Sequence, residues 1–232
     1  MKKEKVVVFS GAGMSAESGI KTFRATDGLW EEYKIEEVAT YDAWKKNSEL
    51  VLQFYNLRRK QVMEASPNQA HILVAKLEDF YDVTVITQNI DNLHERAGSK
   101  NVLHLHGEIM KVRSTVDSSL VYPIKKWELK KGELCEKGSQ LRPHIVWFGE
   151  AVPEMDKATK IAQSADLFIT IGTSLNVYPA ANLINEVKGT IPKYLIDPSE
   201  FNLNHIKNLT HLKTSATLGM ISLFEKLNLL PS

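Results

Sequence analysis

Val6-Val7-Val8-Phe9-Ser10-Gly11-Ala12-Gly13-Met14-Ser15-Ala16 is the stretch whose reading decides the fold. An unbroken apolar run of four residues is too short for a helix core and reads as a strand covered on both faces. It runs into a glycine-rich turn and then into residues that can start a helix. Gly11 and Gly13 would let the backbone turn tightly and approach a pyrophosphate, and Ala16 is small enough for helix-on-strand packing. Free backbone N–H groups at the helix start would face the phosphates. A strand-to-helix connection that binds nothing uses the same residues, so the turn by itself is a weak signal.

Working outward, Val83–Ile86, Leu167–Ile171 and Lys193–Ile196 repeat the short apolar run, with weaker strands expected at Val102–Leu105 and His211–Lys213. Helical patterns fall between them, at Ser48–Ala65, Asn68–Asp79, Glu154–Ser164, Ala180–Val187 and Ile221–Leu229. This alternation predicts an α/β class: a doubly wound, parallel, Rossmann-like sheet. Residues 24–66 hold loop and helix where a second strand is due, and residues 108–143 carry polar turns and no long apolar period. The expected division is a dinucleotide-binding domain from 1–23, 67–106 and 144–232, with a smaller lobe from insertions 24–66 and 107–143. A cleft between lobes is where ligands tend to bind.

The 232 residues are 43% hydrophobic and 25% charged, which excludes a disordered, collagenous or coiled-coil chain. Lys plus Arg (29) nearly balances Asp plus Glu (28), so no nucleic-acid partner is expected. No stretch approaches the roughly 18 to 20 apolar residues of a membrane span. One cysteine makes no internal disulfide, and the chain reads as intracellular, in the cytoplasm.

Thr87-Gln88-Asn89-Ile90-Asp91-Asn92 follows an expected strand, where polar side chains face the ligand crevice. Asn89 offers an amide and Asp91 a carboxylate, which suit a carboxamide such as nicotinamide; a capped turn uses the same residue types. Unlike a dehydrogenase, the chain has no second strand ending in an acidic residue about 20 positions on. Gly19-Ile20-Lys21-Thr22-Phe23-Arg24 comes instead, and its Arg and aromatic suggest a mobile flap over a cofactor. His104 and His106 stand at strand spacing on one face, with no third metal ligand nearby. His106 precedes Gly107 at a strand end, and a pKa near 6.5 suits a general base.

In order and spacing, Gly11-Ala12-Gly13-Met14-Ser15, Gly19-Ile20, Phe23-Arg24, Thr87-Gln88-Asn89-Ile90-Asp91, His106-Gly107, Pro143-His144-Ile145-Val146-Trp147-Phe148-Gly149-Glu150 and Gly172-Thr173-Ser174 resemble the sirtuins. These are NAD-dependent protein lysine deacylases, and the resemblance spans nearly the whole chain. It implies that NAD is consumed as co-substrate, with its nicotinamide end near Asn89 and Asp91. An acyl oxygen of the modified lysine attacks the ribose carbon through an oxocarbenium-like transition state, and His106 is general base on a ribose hydroxyl. Nicotinamide, deacylated lysine and O-acyl-ADP-ribose result. Gly11, Ala12, Gly13, Ser15, Phe23, Arg24, Gln88, Ile90, Gly172, Thr173 and Ser174 would line the NAD site, with Ala216 near the adenine. Leu195 stands where relatives often carry Asn by the adenosine ribose, which leaves side-chain recognition there to Asp197. Val146, Trp147, Phe148 and Gly149 would pair with the substrate peptide as an added strand.

The branch that removes malonyl and succinyl groups carries a Tyr-x-x-Arg pair in its acyl pocket, matched here by Tyr55 and Arg58. Those positions share a helix face, and a guanidinium offers a carboxylate a two-pronged partner. Arg58, Arg59 and Lys60 as one solvated basic face is the plainer alternative. Sirtuins also carry two Cys-x-x-Cys pairs for a structural zinc. Here the aligned positions are Ser114, Asp117, Cys135 and Gly138, so no zinc is expected, and Val116, Leu120, Val121, Tyr122, Ile124, Trp127 and Leu134 would supply an apolar core instead. Transfer of ADP-ribose to protein, and a non-catalytic NAD-binding module, are the competing readings. His106 with the acyl-pocket pair argues against the first, and Asn89, Asp91 and His106 together against the second.

Overall fold

A computed structural model describes residues 3–20 and 33–229. Phe23 and Arg24, the centre of the expected flap, lie outside these residues. In chain order the strands are β1 (Lys5–Ser10), β2 (Asp82–Thr87), β3 (Val102–His104), β4 (Gly107–Ser114), β5 (Val121–Pro123), β6 (Leu141–Ile145), β7 (Leu167–Ile171), β8 (Lys193–Ile196) and β9 (Leu209–Leu212). The helices are α1 (Gly13–Ala16), α2 (Ile35–Val38), α3 (Tyr41–Lys46), α4 (Ser48–Glu64), α5 (Gln69–Lys76), α6 (Leu93–Arg96), α7 (Met155–Gln163), α8 (Leu183–Glu186) and α9 (Ala216–Lys226).

Six strands form one parallel sheet in the order β3-β2-β1-β7-β8-β9. Its apolar runs are continuous because both faces are covered. Val6 and Val8 of β1 pack with Leu73 and Val74 of α5 and with Met220, Leu223 and Phe224 of α9. Val7 and Phe9, pointing the other way, pack with Ala158 and Ala162 of α7 and Leu183 and Ile184 of α8. The fold is thus the expected α/β class, a Rossmann-like sheet with a smaller lobe.

Helix α9 begins five residues before the expected Ile221. Gly219, a weak helix former, sits inside it because a Cβ there would come within 2.1 Å of Ile196 Cγ2. A second sheet occupies 107–145, where no strand was expected: β4 pairs antiparallel with both β5 and β6. The apolar residues of β4 do not alternate strictly because an irregularity shifts its register between Gly107 and Val112. Ile109, Val112, Ile124, Leu129 and Ile145 from this lobe form a third core with Val51, Phe54, Tyr55 and Val62 of α4.

Candidate active site

The chain runs from β1 outward to β2 and β3, then returns to pair β7 on the other side of β1. This reversal opens a crevice at the carboxyl ends of β1 and β7, the place where doubly wound sheets bind ligands. Two turns meet there. A Cβ at Gly13 would lie 2.7 Å from Gly172 Cα, one at Gly11 2.7 Å from Thr173 Cβ, and one at Gly172 2.2 Å from the Met14 nitrogen. The glycines therefore let two strand-end turns touch. That corrects the expectation for Ala16, which is exposed; the close packing falls on Gly13. The free amides expected at the helix start are also largely taken. Gly11 and Gly13 N–H donate to the Ile171 and Gly172 carbonyls, and Met14 and Ser15 N–H to Gly11 and Ala12.

Beyond the turn, Asn89 Nδ2 donates to Ser15 Oγ (3.1 Å), which donates to Asp91 Oδ2 (3.0 Å). Asp91 Oδ1 accepts from Leu93 N–H (3.1 Å). Burial raises the Asp91 pKa, tempered by the Leu93 and Ser15 hydrogen bonds. Beneath them Ser10 Oγ bridges Thr87 Oγ1 (2.8 Å) and His94 Nε2 (2.9 Å), while Thr87 Oγ1 accepts from Asn89 N–H. Gln88 Oε1 accepts from Thr173 Oγ1 (3.3 Å), and its buried Nε2 has no hydrogen-bond acceptor among the described residues. A buried amide donor without a partner costs about 1–3 kcal/mol, which a ligand carbonyl or hydroxyl arriving there would recover.

The two histidines hold successive carbonyls of the same segment. His104 Nδ1 lies 2.8 Å from Asn89 O, and His106 Nδ1 lies 3.1 Å from Gln88 O. A carbonyl only accepts, so Nδ1 carries the proton and His106 Nε2 keeps its lone pair. Burial lowers the His106 pKa, outweighing the Gln88 bond, so the ring is neutral at pH 7. His104 is the opposite case. Burial would lower its pKa, but the Glu95 carboxylate (2.7 Å from Nε2) and the Asn89 carbonyl raise it. Gly107, at φ +82°, follows His106 because a Cβ there would strike His144 O.

On the small-lobe side, Tyr55 and Arg58 lie buried on α4. Burial pushes the Tyr55 phenol up to about 12, against the pull of the Arg58 charge; burial lowers the Arg58 pKa, opposed by Tyr55 and Asp91. The solvated basic face is overturned, since Arg58 and Arg59 are both buried. Arg59 donates to Ile109 O (2.8 Å), Trp127 O (2.8 Å) and Asn56 Oδ1 (2.9 Å), which pins α4 to the small lobe. Of the amides at 146–149, Val146 N–H donates to His106 O, Trp147 N–H to Glu150 Oε2 and Phe148 N–H to Ala39 O. That leaves Gly149 to offer an amide to a peptide. Trp147 is buried and Phe148 exposed.

The remaining expected residues are more dispersed. Thr173 is buried and Ser174 half-buried at the crevice turn, and Ile90 O accepts from Ile109 N–H. Leu195 is wholly buried inside β8 and presents no surface to a ribose. Asp197 Oδ1 accepts from Ser199 N–H, and Ala216 is buried at the first turn of α9. Arg142 and His94, both next to the site, carry no sequence signal: the Ser10 partner of His94 is far off in the chain, and Arg142 meets Glu150 only because the segment after β6 turns back on the strand. The positions aligned with zinc ligands hold a hydrogen-bonded knot. Ser114 Oγ lies 2.9 Å from Ser139 Oγ, Cys135 Sγ lies 3.4 and 3.2 Å from the two hydroxyls, and Lys137 pairs with Asp117 at 2.6 Å. One thiol, a paired carboxylate, a hydroxyl and a glycine do not fit a tetrahedral zinc.

Comparison with known proteins gives a concordant result. The profile of the Sir2 family matches residues 11–179. An NAD-dependent protein deacylase of Helicobacter pylori is 52% identical over 226 residues, 97% of each chain. One from Bacteroides thetaiotaomicron is 50% identical over 222 residues, 94% of this chain and 95% of the other. A Sir2 homologue in complex with NAD superposes with a TM-score of 0.88 at 40% identity, covering 97% of this chain and 90% of that one. A Sir2 bound to a deacetylated p53 peptide and 3'-O-acetyl ADP ribose superposes with a TM-score of 0.81 at 30% identity, covering 97% and 94%.

Proposed function

The chain belongs to the Sir2 family and is an NAD-dependent protein deacylase, and we propose that it prefers acyl-lysines that carry a carboxylate, succinyl and malonyl, while also accepting acetyl. NAD would supply the ribose carbon to which the acyl oxygen bonds as nicotinamide leaves; with water completing the cleavage of the amide, deacylated lysine and O-acyl-ADP-ribose are released. The Gly11–Gly13 and Gly172–Thr173 turns floor the dinucleotide crevice, and the unmatched Gln88 amide is placed to donate to the ligand. Asn89, Ser15 and Asp91 form one hydrogen-bonded string facing the nicotinamide end, so that moving one displaces the others. His106, neutral and with Nε2 unprotonated, takes a proton from a ribose hydroxyl. The two sheets support a division into a dinucleotide lobe and a lobe built from the two insertions.

The observation that carries the acyl preference is Arg58, buried beside Tyr55 near the buried Trp147. A guanidinium removed from water needs anionic partners. A succinyl or malonyl carboxylate would add to the Asp91 charge already acting on it, whereas acetyl leaves the cation as it stands. In assays of kcat/KM on succinyl- and acetyl-lysine peptides, Arg58→Met lowers the succinyl value by about tenfold or more and the acetyl value by about threefold or less. An equal loss on both substrates refutes the carboxylate-reading role.

A structural zinc has no place in this reading. The Ser114–Cys135–Ser139 knot and the Asp117–Lys137 pair support a small lobe that folds without metal, and one zinc per chain in purified protein would overturn it. The single unpaired cysteine suits a reducing, cytoplasmic setting.

A further inference from the structure

Glu150 stands at the end of the Trp147–Glu150 turn, and its carboxylate closes that turn on itself. Glu150 Oε2 accepts from Trp147 N–H at 2.8 Å, while Glu150 N–H donates to Trp147 O at 3.0 Å. The carboxylate is gripped from the other side by both prongs of Arg142, at 2.8 and 3.0 Å, and more loosely by Arg113 at 3.4 Å. Arg142 also donates to Ile145 O at 3.0 Å. Its guanidinium carbon lies over the Trp147 ring, 3.3 Å from the centroid. One buried cation therefore fixes both the backbone of the turn and the indole that leads it. Burial alone would raise the Glu150 pKa, but these hydrogen bonds and guanidinium charges hold it below the usual range.

What the turn positions is the substrate side of the cleft. Trp147 also meets Trp44 (centroids 5.7 Å apart) and Tyr55 (6.4 Å). Tyr55 is three residues from Arg58 on α4. On the outer side of the turn, Phe148, Gly149 and Glu150 join Glu36, Thr40, Tyr41 and Asp42 around a cavity of about 530 Å³. The Arg142–Glu150 pair thus lies where the acyl-pocket wall and the outer peptide-facing surface share one short piece of chain.

We infer that Arg142 and Glu150 are positioning residues for acyl-lysine peptide binding, acting through the Trp147–Gly149 turn and not on NAD. This rests on the reading of Tyr55, Arg58 and 146–149 as the substrate side. Loss of the pair lets the turn move by the fraction of an ångström that a preorganised site does not tolerate.

The test is steady-state kinetics with succinyl- and acetyl-lysine peptides on two conservative variants. Glu150→Gln keeps an oxygen for Trp147 N–H and loses the charge; Arg142→Lys keeps the charge and loses the two-pronged geometry. Each raises the peptide KM by about tenfold on both acyl groups and leaves the NAD KM within about twofold. An unchanged peptide KM, or a peptide KM and NAD KM rising in step, overturns the inference, because a merely structural pair would move neither or both. Should Arg142→Lys fail to fold, Glu150→Gln decides alone by the same criterion. Arg58→Met, run alongside, tests the acyl-pocket reading separately: it discriminates between the two acyl groups, whereas the Arg142 and Glu150 variants do not.

Discussion

In the six-stranded sheet, β1 and β7 are buried along nearly their whole length, and helices cover both faces with apolar side chains. In the three-stranded sheet β4 and β6 mix buried and half-buried side chains, β5 is a short and largely exposed edge, and polar side chains tie the sheet to the rest of the molecule. Arg59 bonds two backbone oxygens across from α4, Asn56 both donates to Leu129 O and accepts from Leu129 N–H, and Arg142 ties β6 to Glu150. The first region is specified by how much apolar area it hides. The second is specified by which few polar atoms meet, so single substitutions there should act locally and steeply. The active site lies between them, with His106 on the two-residue connection that leaves one sheet for the other.

The widest separation between the two regions is expected in catalysis. Replacing His106 by Gln removes the base while keeping the ring-sized volume. Deacylation kcat/KM falls by about 10²- to 10⁴-fold, whereas NAD affinity measured by calorimetry stays within about twofold. Retention of a tenth of the parent activity would place the base elsewhere.

Arg59→Met probes the polar pins directly. The variant loses three hydrogen bonds from a buried cation, and urea unfolding registers a destabilisation of about 4 kcal/mol. Hydrogen exchange locates it: amides of β4 and of residues 121–129 lose protection first, while β1 and β7 keep theirs. Uniform loss of protection would erase the distinction between the regions.

The same contrast explains what the sequence discloses. β1, β2, β7 and β8 are legible to within a residue because a strand covered on both faces must be apolar throughout. The crevice is legible because its glycines, Asn89, Asp91 and His106 cluster at strand ends in runs of a few residues. The small sheet is not, since β4 alternates imperfectly and its pairing depends on contacts such as Ser114 with Ser139, 25 residues apart. Arg59 reads as one of three consecutive basic residues, and only the fold reveals that its acceptors lie 50 and 68 positions away. Ala16 faces solvent for a local reason that spacing does not disclose: the sequence gives the position of a small residue but not which side of a four-residue helix it faces.

A pH titration gives the next smaller effect and falls on the large region. His71 and His94 pack edge to face, with centroids 5.0 Å apart, beneath the Ser10–Thr87 pair. Burial lowers the His71 pKa from 6.5 to about 4, with a small opposing pull from Glu95. Burial, with the nearby His71 and His104 charges, puts His94 well below 6.5 too. The unfolded chain then binds more protons than the folded one between those values. The stabilisation is complete above pH 6.5 and is lost as pH falls toward 4, by up to about 3 kcal/mol for His71. His71→Gln flattens that stretch of the stability–pH curve; a curve unchanged by the substitution assigns the acid sensitivity to other groups.

The smallest effect is expected where the family relies on metal. If the knot around Cys135 replaces zinc, nothing in the small lobe depends on a chelatable ion, and dialysis against a strong chelator shifts the melting temperature by about 1 °C or less. Cys135→Ser supplies the sharper half of the test. The Cys135 sulfur shares weak thiol hydrogen bonds with Ser114 and Ser139, and the backbone bonds Cys135 N–H to Ser139 O and Gly138 N–H to Cys135 O survive a change of side chain. A serine hydroxyl is smaller but joins the same two hydroxyls as donor or acceptor, so the change stays within about 1 kcal/mol. A zinc ligand would behave otherwise, since structural zinc contributes roughly 10–16 kcal/mol of apparent folding energy in small peptides. Chelator sensitivity that Cys135→Ser abolishes would mean that one thiolate and its neighbours recruit a metal after all. The small lobe would then owe its order to an ion, and the contrast between the two sheets would be one of metal against core.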